Sequence, residues 1–319
     1  MSYQLARDES IAAGLRRIVA EDVHSASAQL SPRNQENRDE GIHEARKSVK
    51  KLRGIVRLMM PGMGERGKRE NIALRDTGRR LSEFRDAAAI IETLDDLAKN
   101  YAADPAAADL ATVRAGLVER LNAAGAKSDV ADASLQVLRD LRNFKRRANS
   151  WLTGEDDFAM LAPGLRASYR RGRKALARAG KEKTPVNYHE LRKRVKEHWY
   201  QVRLLESLGG EVSDREKSLK DMQEWLGEDH NLVLLQELVA QEATGVRRLI
   251  GKYQDKLRAD AMSQGERLYE SRPGIFMRRM ERLWDSWRVW PAAAIGVRMK
   301  PGAAVGLVLP APKPARNSA

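Results

Sequence analysis

Cysteine is absent from the 319-residue sequence. That excludes a disulfide framework and any cysteine-ligated zinc site, and it is compatible with a reducing compartment. Long apolar runs are absent as well: nothing approaches the roughly 18 uninterrupted apolar residues of a membrane-spanning helix. The first nine residues hold no apolar stretch of the kind a secretory signal needs, so none is expected. Aromatic residues are only 5% of the chain, which disfavours a surface built to stack unpaired bases. No convincing alternation of apolar and polar residues occurs, so strands are not expected. Acidic charge is scarce relative to basic: 44 Asp and Glu against 58 Lys and Arg, a net charge of +14. Such a balance points to a polyanionic partner, whether nucleic acid, an anionic membrane surface or polyphosphate.

Signatures of catalysis are missing too. His43-Glu44 and His189-Glu190 invite a zinc-protease reading, but that motif needs a second histidine four residues on, and Lys47 and Lys193 stand there. His43, His189 and His230 could meet at a nonlocal metal site only with cations beside each of them, which opposes a metal ion. No glycine-rich phosphate loop, no Gly-x-Ser-x-Gly elbow and no Glu-x-Glu-x-Lys triphosphate signature is present. No metal, cofactor or enzymatic activity is therefore expected.

What the chain does have is an internal repeat. His43, Arg46, Lys47, Val49, Lys50, Arg57 and Leu58 recur 146 residues later as His189, Arg192, Lys193, Val195, Lys196, Arg203 and Leu204. At about 100° per residue, with His43 at zero, Lys50 falls near −20°, Arg57 near −40°, Lys47 near +40° and Arg46 near −60°. Ile42, Ala45, Val49, Leu52, Val56 and Met59 take the opposite side, so one face is cationic and the other apolar. A merely solvated face mixes signs, because like charges at i,i+4 repel. Here Glu44 is the only acid between residues 43 and 57, and the pattern is repeated. The cationic column is about 21 Å long at 1.5 Å per residue, which suits an extended polyanion better than a single phosphate. Arg supplies planar forks and Lys compact charges; His43 and His189 beside bound phosphates should favour their charged forms, so binding should strengthen as pH falls toward about 6. Gly54 interrupts the basic face, marking either a close approach or an ordinary helix glycine. Arg16, Arg166, Arg170 and Arg173 flank the basic helices, and Arg142, Arg146 and Arg279 lie in further basic runs; each is a weaker candidate for the same surface.

Apolar residues at helical spacing predict helices near 4–29, 36–60, 66–83, 86–101, 106–123 and 129–151, then near 158–179, 186–207, 213–226, 229–247, 250–269 and 273–289. Pro32, Pro61, Pro105, Pro163, Pro185 and Pro273 fall at or near the boundaries. Met60 to Gly64 should close the first basic helix and Leu208-Gly209-Gly210 the second. Gly14-Leu15-Arg16 and Gly164-Leu165-Arg166 extend the repeat, and 153–157 is the expected joint. The halves are thus 1–152 and 153–290, each with enough helices for a small antiparallel bundle. From Pro291 the chain has five prolines, four basic residues and no acid, the composition of a flexible tail.

The run His43-x-x-Arg46-x-x-x-Lys50-Lys51-Leu52-Arg53-x-x-x-Arg57-Leu58, the Arg85-Asp86 pair and the second run Tyr188 to Lys196 resemble the CHAD family, the conserved histidine α-helical domain, over roughly residues 5–290. The resemblance implies an all-α fold of two pseudo-symmetric four-helix bundles around a basic central channel. It implies non-catalytic binding of inorganic polyphosphate in the cytoplasm, at polyphosphate granules. Carried over by position, the ligand contacts are His43, Arg46, Lys47, Lys50, Arg53, Arg57, His189, Arg192, Lys193, Lys196 and Arg203. Trp199 stands opposite Arg53 and Asn231 opposite Asp86, so the halves are not equivalent. Two other readings stay open: a nucleic-acid-binding helical protein, and an accessory subunit that delivers polyphosphate to a partner enzyme.

Overall fold

A computed structural model describes residues 3–31, 38–81, 86–125, 130–153 and 156–289. The tail from Pro291, Pro32, Arg85 and the Gly154-Glu155 part of the joint lie outside them. The described residues form eleven α-helices and no strand. They are α1 (Ile11–Gln29), α2 (Arg38–Met63), α3 (Glu65–Arg80), α4 (Asp86–Asn100), α5 (Ala107–Gly125), α6 (Val130–Ala148), α7 (Ala162–Lys181), α8 (Pro185–Arg203), α9 (Gly210–Leu238), α10 (Thr244–Leu268) and α11 (Pro273–Val289). No helix among them is long and apolar enough to cross a membrane.

Capping chemistry explains some of the helix starts. Ser10 starts α1 by accepting a hydrogen bond from the Ala13 amide, and Thr184 does the same for the Asn187 amide at α8. Pro163 and Pro185 sit in the first turns of α7 and α8, where a missing N–H costs nothing. Three expectations need correction. The first helix begins at Ile11, not near residue 4: Tyr3 and Leu5 are buried in an irregular segment whose Leu5 amide bonds to the Leu204 carbonyl at 2.9 Å. Pro61 does not close α2. The helix continues to Met63 and ends at Gly64, whose φ of +56° suits glycine. The helices expected near 213–226 and 229–247 are replaced by one, α9, which runs through Gly227 and ends at Leu238. A glycine costs a helix about 1 kcal/mol. The buried line Leu219, Met222, Leu226, Leu232 and Leu235 offsets it. Gly209 and Gly210, both at positive φ, make the turn before α9.

Neighbouring helices pack in series: α1 on α2 and α2 on α3, then α7 on α8, α8 on α9 and α9 on α10. Cross-packing joins the two series. Helix α2 lies against both α7 and α8, α6 against α1 and α3, and α4 against α9. The larger apolar core takes residues from α1, α2, α3, α6, α7, α8 and α11, together with the first part of α9 and the last part of α10. A second core is built from α4, α5, the end of α9 and the start of α10. Each core therefore draws on helices from both sides of Thr153. The whole apolar face read for residues 42–59 is in the larger core, with Ile42, Ala45, Val49, Leu52, Val56 and Met59 all buried.

Two glycines set the cross-packing distance. A Cβ on Gly54 would lie 2.8 Å from Cβ of Tyr200, so α2 and α8 touch backbone to side chain there. That settles the Gly54 alternative in favour of close approach. A Cβ on Gly164 would lie 1.8 Å from the Leu58 carbonyl oxygen, where α7 crosses α2. Backbone cannot yield as a flexible side chain does, so Gly164→Ala should destabilise the protein by at least about 3 kcal/mol or prevent folding. Gly62→Ala, which meets nothing within 4 Å, should be neutral or stabilise by up to about 1 kcal/mol. Urea unfolding of the pair checks this, and a Gly164→Ala protein as stable as the parent contradicts the crossing.

Candidate functional site

The crossing at Gly54 brings the polar faces of α2 and α8 to one cleft of about 400 Å³. Helix α2 lines it with Lys50, Arg53, Gly54 and Arg57; α8 lines it with Arg192, Lys193, Arg194, Lys196, Glu197 and Tyr200. Seven of these ten residues are cations and one is an acid. The two copies of the repeat thus meet in a single concavity instead of facing apart.

Burial and neighbouring like charge disfavour the charged form at two positions. The Lys196 ammonium is held well below the usual lysine range by burial and by its neighbours Lys50, Arg192 and Arg46. Arg53 is pulled down to about 10 by burial and by Arg57, Arg75 and Arg79, against the pull of Glu197. Its Nε is buried with no hydrogen-bond partner among the described residues. Both groups would gain from an anion in the cleft.

One carboxylate organises the arginines. The Glu197 side chain is 1% exposed and reaches Arg57 of α2 at 3.1 Å, Arg171 of α7 in a close contact, and Arg194 of α8 at 3.5 Å. Arg57 also donates from Nε to the Asn71 amide oxygen at 3.1 Å. Arg194 is held a second time by Glu190, with Nε donating at 2.7 Å.

Beyond the cleft lining the predicted residues divide. Arg46 lies near enough to depress Lys196. His43 sits half-buried one turn before Lys47 on the same helix. Lys47 is exposed and pairs with Glu44 at 2.5 Å, and Lys193 pairs with Glu190 at the same distance. His189 packs its ring 4.2 Å from that of His230 on α9. Arg203 does not line the cleft. It lies over the rings of Tyr3 and Trp199 at 5.7 and 5.5 Å, on the side of α2 where Lys51 bonds to the buried Asp22 at 2.9 Å. The weaker candidates are dispersed. Arg16 donates to the Leu152 carbonyl, Arg173 to the Ser271 carbonyl, and Arg279 pairs with Glu211. Arg142, Arg146, Arg166 and Arg170 are exposed and line no part of the cleft. Trp151 and Trp284 are buried packing residues.

Sequence reasoning missed Glu197, Arg171 and Arg194 as site residues. By helical rotation Arg194 lies about 140° from His189, off the cationic face. Its long stem carries the guanidinium back to Glu197. No group of three or more His, Asp or Glu among the described residues is placed to hold a metal ion.

The geometry defines an all-α protein whose two repeated basic helices line one cationic cleft. Residues 17–240 match the family model of the CHAD domain, and the chain belongs to that family. No curated protein matches it.

Two of the histidines, His189 and His230, are shifted toward the neutral form. His189 is pushed below its ordinary value by burial, then by Arg192 and Lys193, with Glu190 opposing. His230 is pushed down from 6.5 to about 4 by burial, Arg192 and His189. Both therefore favour the neutral imidazole. Unfolding restores ordinary values, so below about pH 6.5 the unfolded chain takes up protons that the folded chain resists. The stability involved is fully present above that pH and is lost as pH falls toward 4. The buried His198 adds to the loss with the same sign. His230→Asn should therefore flatten part of the loss between about pH 6.5 and 4. Urea midpoints measured across this window check it, and an unchanged profile contradicts it.

Proposed function

We propose that this CHAD-family chain binds inorganic polyphosphate without transforming it, and that a segment of the polymer lies in the cleft between α2 and α8. The single observation that carries this reading is the convergence of Lys50, Arg53 and Arg57 with Arg192, Lys193 and Lys196 on one cleft. A lone phosphate satisfies only two or three such groups, whereas a linear polyanion satisfies them in series. Arg46 and His43 on α2, with Lys47 beside them, and His189 on α8 extend the basic strip beyond the cleft.

In this reading the halves 1–152 and 153–290 are related units, each supplying one basic helix to a central channel of which the cleft is a part. The residues from Pro291 onward are an appendage that the cleft does not need. No residue is assigned a catalytic role and no cofactor is invoked. Retention of polymer in the cytoplasm, at polyphosphate granules or for delivery to a polyphosphate-metabolising enzyme, follows from binding without turnover.

Titration with long-chain polyphosphate, RNA and DNA at matched phosphate concentration and about 150 mM salt tests the ligand class. Polyphosphate should bind most tightly, and its affinity should fall steeply as salt rises. Equal or tighter binding of RNA or DNA favours the nucleic-acid reading. Lys50→Glu and Lys196→Glu should each weaken polyphosphate binding at least about tenfold, because one ligand touches both helices and the second contact is intramolecular. Variants that keep full affinity at half the stoichiometry would mean two independent sites.

A further inference from the structure

A cleft that attracts anions contains a carboxylate in its lining, which on charge alone should weaken binding. Its placement resolves the conflict. Glu197 is almost wholly buried, at 1% side-chain exposure, so it stands behind the guanidinium groups and not beside a ligand. Its two oxygens are divided: Oε1 takes Arg171 from α7, and Oε2 takes Arg57 from α2 and Arg194 from α8. One acid thereby ties three helices to the floor of the cleft. Arg57 and Arg194 are each pinned again, by the neutral Asn71 and by Glu190. A guanidinium has five N–H donors, so pinning two of its edges leaves the rest in a fixed orientation. The lysines differ. Lys50 and Lys196 line the same cleft, but an ammonium on a flexible stem carries charge without a preferred plane.

We propose that Glu197 is a positioning residue that fixes Arg57 and Arg194 as oriented forks, giving the cleft its preference for phosphoryl oxygens over other polyanions of equal charge. The proposal rests on the polyanion reading of the cleft and adds a division of labour to it. Arginines held by Glu197 confer selectivity, and Lys50 and Lys196 confer attraction.

The test compares the affinities of polyphosphate and poly(vinyl sulfonate), matched in charge concentration, for the parent protein and for Glu197→Gln. Removal of a negative charge should strengthen both ligands if the acid is only structural. Positioning predicts the opposite for polyphosphate: a loss of at least about fivefold, with little change for the sulfonate, so the selectivity ratio falls. Lys50→Gln should weaken both ligands together and leave the ratio in place. Should Glu197→Gln fold poorly, Arg171→Lys keeps the charge, removes one fork from the carboxylate and lies outside the cleft lining. It should lower the ratio in the same direction. Equal or tighter polyphosphate binding with an unchanged ratio in both variants overturns the proposal. Failure of the parent protein to bind polyphosphate is a different result, and overturns the reading of the cleft itself.

Discussion

Two helices that carry the same basic face can share one cleft only if their backbones come close, and in this chain glycine sets that distance. At Gly54 there is room for the Tyr200 side chain and for nothing more. At Gly164 the Leu58 carbonyl occupies the space a side chain would need. These contacts hold α2 against α8 and α7 together, and the polar faces beside them become opposite parts of one concavity. Larger residues at either position would force the helices apart and leave two solvated basic stripes.

Bringing seven cations into one cleft opposes folding, and at Lys196 and Arg53 burial and then neighbouring cations disfavour the charged form. The fold offsets part of it locally. Glu197 neutralises the arginine end, while Glu190 and Glu44 pair with Lys193 and Lys47 at the edges. The apolar faces of α2 and α8 supply the rest through burial of Val49, Leu52, Leu191 and Val195. The remainder is an electrostatic strain that an anion relieves. An ion pair made with one partner already desolvated and fixed is stronger than one made in water.

How much could be read beforehand followed from the range of each interaction. Helical periodicity is local, so helix type and most boundaries were visible, as was the cationic face carrying Lys50, Arg57, Arg192 and Lys196. The end of α2 beyond Pro61 was not, nor was the fusion of two expected helices into α9, where burial of Leu226, Leu232 and Leu235 outweighed Gly227. Glu197 carries no signal in the sequence that sets it apart. Its role depends on Arg57 and Arg171, 140 and 26 residues away in sequence. The place of Arg203 was not visible either. The repeat placed it in line with Arg57, but Tyr3 and Trp199 draw its guanidinium to another side. The histidine shift was hidden too, since its largest cause is burial, which only the fold supplies.

The most direct measurement is a structure of the protein bound to a linear oligophosphate. Phosphorus positions should run along the cleft between α2 and α8, with phosphate oxygens within hydrogen-bond distance of Lys50 and Lys196 at once and of Arg57 at the Glu197 end. Phosphates bound instead on the exposed arginines of α6 or α7, with the cleft empty, would contradict the shared-cleft account.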